Sequence, residues 1–146
     1  MQSDFKITGY IDEQHRESVI QLWKTVFGYE DAHNKPSLVI DKKLDVADGL
    51  LFLATQGDTL VGTIMAGYDG HRGWLYSVAV SPQHRLLGIG TKLIKHAEQA
   101  LVSLGCLKIN LQIVAGNEAV TSFYQTLGYN VEARVSMGKR LTLTNS

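Results

Sequence analysis

Residues 50–104 constrain the fold more tightly than any other part of this chain. LLFLAT and TLVGTIMAGY are runs of apolar and β-branched residues on either side of Gln56-Gly57-Asp58, and they predict the two strands of a hairpin. The segment DGHRG turns again into WLYSVAV, so the three runs make an antiparallel meander of about three strands. That pattern stops at Pro82. A short loop then carries Arg85, Gly88 and Gly90, after which Leu93, Ala97, Ala100, Leu101 and Leu104 recur at helical spacing until Gly105. A meander that runs into a strand–loop–helix unit calls for a helical layer over a sheet.

The flanking segments fill in the rest. Residues 5–10 fit a short first strand. Asp12 is a cap candidate for a helix from Glu13 to Phe27, with Val19, Leu22, Trp23 and Val26 on one face. GYEDAHNKP is a polar loop, Ser37 is placed to cap a helix over SLVIDKKLDVA, and Asp48-Gly49 breaks that pattern. Beyond Gly105, LKINLQIV reads as a strand and NEAVTSFYQTLG as a helix closed by Gly128, while YNVEARVSM and KRLTLT read as a final pair of strands. Helices alternate with strands only in the middle of the chain. The expectation is one α/β domain of the α+β type over residues 1–146, with a mixed, mostly antiparallel sheet of about six to seven strands flanked by about four helices. The pairing order is left open by the sequence.

Composition narrows the function. The chain has 146 residues, 45% of them hydrophobic and 19% charged, which suits one soluble domain with a real core. Its 14 Lys and Arg balance 14 Asp and Glu, unlike the basic footprint of a nucleic-acid binder. MQSDFKITGYIDEQHRE is too polar for a signal peptide, and no run reaches membrane-spanning length. Cys106 is the sole cysteine, so no intrachain disulfide forms and a reducing, cytoplasmic setting is expected, with Cys106 a structural thiol. The five histidines match no metal-ligand spacing, and no metal is expected.

A loop between a strand's end and a helix's start presents unpaired amides, and the helix dipole adds roughly half a positive charge there. Such a loop suits a phosphate group; glycines let the backbone approach closely, and Arg85 offers a bidentate contact. Two familiar phosphate loops fail by spelling. Gly90 is followed by Thr91-Lys92, the reverse of the P-loop order, and Leu93 stands where a dinucleotide fingerprint needs glycine. A plain tight turn built on two glycines is the alternative at this stage.

Arg85-Leu86-Leu87-Gly88-Ile89-Gly90 resembles the Arg/Gln-x-x-Gly-x-Gly/Ala motif of the GNAT superfamily of acyl-CoA-dependent N-acetyltransferases. Its context, a strand ending Val78-Ala79-Val80 and a long amphipathic helix after the loop, is similar too. About 30 residues on, Asn117-Glu118-Ala119, Phe123-Tyr124 and Leu127-Gly128-Tyr129 resemble the second signature of that family. GYDGHRGW and SMGKRL look like the small bacterial YpeA-like branch, related to ribosomal-protein alanine acetyltransferases.

The resemblance implies acetyl-CoA as acyl donor and an amine as acceptor. It implies that amides from Arg85 through Leu86, Leu87, Gly88, Ile89 and Gly90 to Thr91 hold the pyrophosphate, and that backbone groups of Val78, Ala79 and Val80 line the pantetheine arm. Asn117 would contact the same molecule, and the Tyr124 hydroxyl would protonate the departing thiolate. A phenol of pKa near 10 is a usable acid toward a thiol near 8.5. Without the resemblance, Asn117 reads as a helix cap and Tyr124 as a packed aromatic. Families resembling this one often dimerise, which leaves a homodimer open.

Two departures matter. Leu86 and Leu87 stand where many members have Gly and a basic residue, which removes a charge while keeping the amides. Tyr76 occupies the strand position where some members place Glu. Deprotonating a lysine amine of pKa near 10.4 at pH 7 costs about 4.6 kcal/mol, against about 1 kcal/mol for an α-amine near 7.8. An α-amine or other weakly basic acceptor is therefore expected over lysine. Asp69 and His71, in the turn at the far end of the strand from the loop, are candidates for the acceptor side together with Tyr76. Glu30, in the polar loop, is a further candidate wall. The rival readings are a non-catalytic acyl-CoA-binding module and a nucleotide-binding domain.

Overall fold

The computed structural model describes residues 4–28 and 32–141. The chain divides into two compact units, Met1–Gln112 and Ile113–Ser146.

The first unit carries one five-stranded sheet in the order β1-β2-β3-β4-β5. Its strands are β1 (Lys6–Gly9), β2 (Leu51–Gln56), β3 (Thr59–Tyr68), β4 (Gly73–Val80) and β5 (Ile109–Leu111). The first three pairings are antiparallel and β4–β5 is parallel, so the meander expected over 50–80 is present and the sheet is mixed. The parallel pair needs a crossover, which α3 (Ile89–Ser103) supplies.

Helices α1 (Asp12–Phe27) and α2 (Pro36–Val46) cover one face. Val19, Leu22 and Trp23 of α1 and Ile40 of α2 form one core cluster with Leu51, Leu53, Met65 and Ala79 of the sheet. Ile89, Leu93, Ile94, Ala97 and Leu101 are the buried residues of α3. Two glycines let α3 lie close against the sheet. A Cβ on Gly62 would stand 2.9 Å from Leu93 Cδ1 and 3.1 Å from the Ala79 carbonyl; one on Gly73 would stand 2.9 Å from Leu101 Cδ1. Cys106 is buried and its thiol donates to the Lys108 carbonyl at 3.2 Å, which gives it a packing role.

Several expectations need correction. Asp12 is the first helical residue of α1, not its cap; Ile11 holds that place, and its N–H donates to His15 Nδ1 at 2.9 Å. Asp12 instead accepts from Tyr10 and Arg16. Helix α2 starts at Pro36 after Lys35, because proline at the first helical position has no N–H to leave unsatisfied. Leu104 is 52% exposed, as α3 has already ended. Among the described residues the sheet has five strands where about six to seven were expected, while four α-helices match. LKINLQIV contributes only the three residues of β5. Up to Leu141, the segment expected to form the last two strands carries none. Val131, Val135 and Met137 are largely exposed there.

The second unit is built on α4 (Glu118–Thr126). Asn117 caps it by accepting the Val120 N–H at 3.3 Å, and Gly128, at φ 96°, lies just beyond its end.

Candidate functional site

Strand β4 changes character halfway along. From Gly73 to Leu75 it is paired on both sides, to β3 and to Ile109–Leu111 of β5. From Tyr76 to Val80 the pairing with β3 continues, but β5 has ended opposite Leu75. A bulge sits at this junction: Met65 pairs with Tyr76 and Thr63 with Ala79, so Ser77 and Val78 together oppose Ile64. Ser77 has φ 53°, in the left-handed region where a side chain is strained. A bulge adds local twist and re-aims the strand. The result is a strand edge at 76–80 that β5 does not cover.

The loop from Ser81 to Gly88 carries this edge into α3. Its 3-10 turn, Pro82–His84, is followed by Arg85, whose Nε donates to the Val80 carbonyl at 3.3 Å. Arg85 is thus folded back onto β4. Leu86 is fully exposed at φ 67°, and Leu87 is 45% exposed. Gly88 is the N-cap residue at φ 81°, and no side chain caps the first turn of α3. Ile89 is buried, which seats that turn against the sheet near Gly62. The amides at Ile89, Gly90 and Thr91 begin the helix, and no acidic residue stands in its first turn to oppose an anion. Loop, helix start and open edge therefore meet at one corner of the first unit.

Tyr76 stands on the open half, 43% exposed, with its hydroxyl over the bare Cα of Gly67. Burial and then the nearby charge of Asp48 push its phenol up, so it stays protonated. Beside it, Lys43 of α2 is buried; its Nζ donates to Asp48 Oδ2 at 2.8 Å and to the Ala66 carbonyl at 2.5 Å, 5.9 Å from the Tyr76 ring centroid. The bond to the Ala66 carbonyl ties α2 to β3, while the ion pair with Asp48 holds the segment that follows α2. The sequence reading missed Lys43 and Asp48; a lysine among the apolar positions of α2 was the available signal.

Asp69 and His71 lie in the β3–β4 turn, at the other end of β4. Asp69 Oδ1 accepts the N–H groups of Arg72 and His71, both at 2.7 Å, and these bonds hold its carboxyl below the usual carboxylate range. Asp69 closes the turn and stays ionised, so it is a poor proton acceptor. Glu30 lies outside the described residues.

In the second unit, Asn117 caps the start of α4 and Tyr124 lies in its last turn. Tyr124 is buried, edge-on to the rings of Phe123 and Tyr129. That burial pushes its phenol up to about 12. Among the described residues no group of His, Cys, Asp and Glu is placed to hold a metal, and no helix is long and apolar enough to cross a membrane.

Known proteins resemble this chain in sequence and in fold. An acetyltransferase of Sodalis glossinidius (strain morsitans) is 40% identical over 126 residues, covering 86% of this chain and 88% of that protein. The PaiA N-acetyltransferase from Thermoplasma acidophilum, in complex with coenzyme A, shares the fold with a TM-score of 0.76 at 19% identity, over 90% of this chain and 93% of that one. The ribosomal-protein-S18-alanine N-acetyltransferase from Escherichia coli does so with a TM-score of 0.70 at 19% identity, over 87% and 78%. Residues 16–129 match the acetyltransferase (GNAT) family, and the chain belongs to that family.

Proposed function

We propose that this acetyltransferase moves an acetyl group from acetyl-CoA to a primary amine, an α-amine or small-molecule amine in preference to lysine. The observation that carries the reading is the corner of the first unit. There an uncapped helix start with a left-handed glycine adjoins a strand edge that β5 leaves open. The fit is chemical as well as spatial. The α3 amides and helix dipole suit the pyrophosphate, and Gly88 has open space where a Cβ would stand. Backbone groups at Val78 and Val80 suit the amides of the pantetheine arm, as an added strand would, while those of Ala79 between them face Thr63 of β3. Arg85 leaves one lone pair of the Val80 carbonyl free, because a carbonyl oxygen accepts twice.

Bound there, acetyl-CoA supplies an activated carbonyl for attack by the amine. Tyr124 donates its hydroxyl hydrogen bond to the sulfur as the C–S bond breaks, and Asn117, at the start of α4, contacts the CoA moiety. With the phenol at about 12, full proton transfer to a thiolate whose thiol lies near 8.5 is uphill by about 5 kcal/mol. Tyr124 therefore acts as a hydrogen-bond donor to the developing charge, and the amine's proton leaves through solvent. Tyr76 and Asp69 are poor bases, the first neutral and the second engaged in its turn. A low-pKa amine suits such a site, because it needs little help to lose its proton.

Thermal unfolding with acetyl-CoA, CoA, ATP and NADH in parallel tests the donor. At a hundred times its dissociation constant a ligand adds about 2.7 kcal/mol, roughly 5 to 10 °C for a domain of this size. The shift is expected with acetyl-CoA and CoA alone. A larger shift with ATP or NADH, or none with CoA compounds, overturns the reading. With the donor established, acetylation of α-amine peptides against lysine peptides blocked at the N-terminus decides the acceptor; robust lysine transfer without α-amine transfer overturns the preference.

A further inference from the structure

Ser77, the bulge residue of β4, is held by a buried relay that begins on another element. The Trp23 indole of α1 donates to Thr63 Oγ at 2.8 Å, and the Thr63 hydroxyl donates to the Ser77 carbonyl at 2.9 Å. The polarity of the chain is fixed: an indole N–H only donates, a carbonyl only accepts, and one hydroxyl does both. Thr63 is fully buried and Trp23 is 2% exposed, so water offers neither partner a replacement. At the end of the relay is a left-handed, non-glycine strand residue, a conformation that persists only where its surroundings enforce it.

We propose that Thr63 and Trp23 are positioning residues for the acyl-donor seat. They fix the Ser77 bulge and so hold the edge at 78–80 in the course that receives the pantetheine arm. The inference rests on the donor reading above. Apolar packing alone does not supply this function, because the left-handed turn at Ser77 has a directional need that a methyl group cannot meet. Thr63 sits within TLVGTIMAGY among Val61, Ile64 and Met65, all buried, and a valine would pack there equally well. Thr63 also lies where α1 meets β4, so a displacement of α1 would reach the donor seat through two hydrogen bonds.

The test uses the full chain, with CoA as the probe and titration calorimetry as the readout at a temperature well below unfolding. Thr63→Val keeps the shape and leaves the indole and the carbonyl unpaired, so CoA affinity is expected to fall by about tenfold. Thr63→Ser keeps both bonds and is expected to restore affinity to within about twofold of the parent, even where it lowers the unfolding midpoint through the lost methyl. Trp23→Phe removes the first bond only and is expected to weaken CoA less than Thr63→Val does. It also serves where Thr63→Val fails to fold. A folded Thr63→Val protein with parental CoA affinity and a lower midpoint overturns the proposal, as does Trp23→Phe with unchanged affinity where Thr63→Val does not fold. A parent chain that does not bind CoA overturns the donor reading itself, and the proposal with it.

Discussion

The two halves of β4 differ in what pairs with them. Gly73–Leu75 has neighbours on both sides, whereas Tyr76–Val80 has β3 on one side and no β5 on the other. The first half behaves as interior sheet. Gly73 is bare because Leu101 and Cys106 press against it, and its N–H is satisfied by the Lys108 carbonyl at 2.8 Å. The second half behaves as a site. It bulges at Ser77, leads into the Arg85–Gly88 loop and leaves an edge open. An open edge is a liability in most sheets, since it invites pairing with other chains. Here it lasts only a few residues and is bordered by the start of α3, which suits a small ligand.

The largest expected effect tests the transfer chemistry proposed for a donor seated on the open half. Tyr124→Phe is expected to lower kcat about a hundredfold while leaving KM for acetyl-CoA near the parent value. Unchanged kcat removes Tyr124 from its role. Its pH behaviour sharpens the same point. With the phenol at about 12, the rate shows no alkaline fall owed to Tyr124 below about pH 11. Folding raises this pKa above the ordinary 10, so the neutral phenol's contribution to stability is complete below pH 10. It is lost as pH climbs through about 12, which a pH series of denaturant unfolding reads directly.

A paired substitution breaks the comparison next. Gly73→Ala puts a Cβ against Cys106 Sγ and Leu101 and is expected to cost about 1–3 kcal/mol of stability, with CoA affinity unchanged once folded. Gly88→Ala meets open space, but at φ 81° it is expected to cost about 1–2 kcal/mol and to weaken CoA as well. Equal effects of both on affinity would erase the distinction between the halves. The smallest effect is at Leu86, whose side chain is fully exposed and whose φ is 67°. Leu86→Gly relieves that strain and is expected to stabilise by about 0.5 kcal/mol after the entropy that glycine loses on folding. Denaturant unfolding measures it.

The elements with the strongest local signals were legible from sequence. The hairpin at Gln56-Gly57-Asp58, the buried stripe of α3 and the Asn117 cap each depend on residues close in the chain, so periodicity and turn chemistry reveal them. The loop motif was legible for the same reason. The expected last two strands are not formed up to Leu141, because the alternation in YNVEARVSM is a local pattern whereas a strand is defined by ladder bonds to another segment, which local pattern does not specify. The start of α2 was misplaced by one residue, since Ser37 and Pro36 are both reasonable openings and only the backbone decides between them.

By itself, then, the sequence determined the meander, the amphipathic helix after it, the glycine-bearing loop and the family, all through short-range pattern. Tertiary structure decided where β5 ends against β4, the Ser77 bulge, the Trp23–Thr63–Ser77 relay and the buried pairing of Lys43 with Asp48 and the Ala66 carbonyl. These depend on groups up to 40 residues apart in the chain, as between Trp23 and Thr63. Buried polar atoms must find partners, and which partner lies within reach is set only when the sheet and helices have packed.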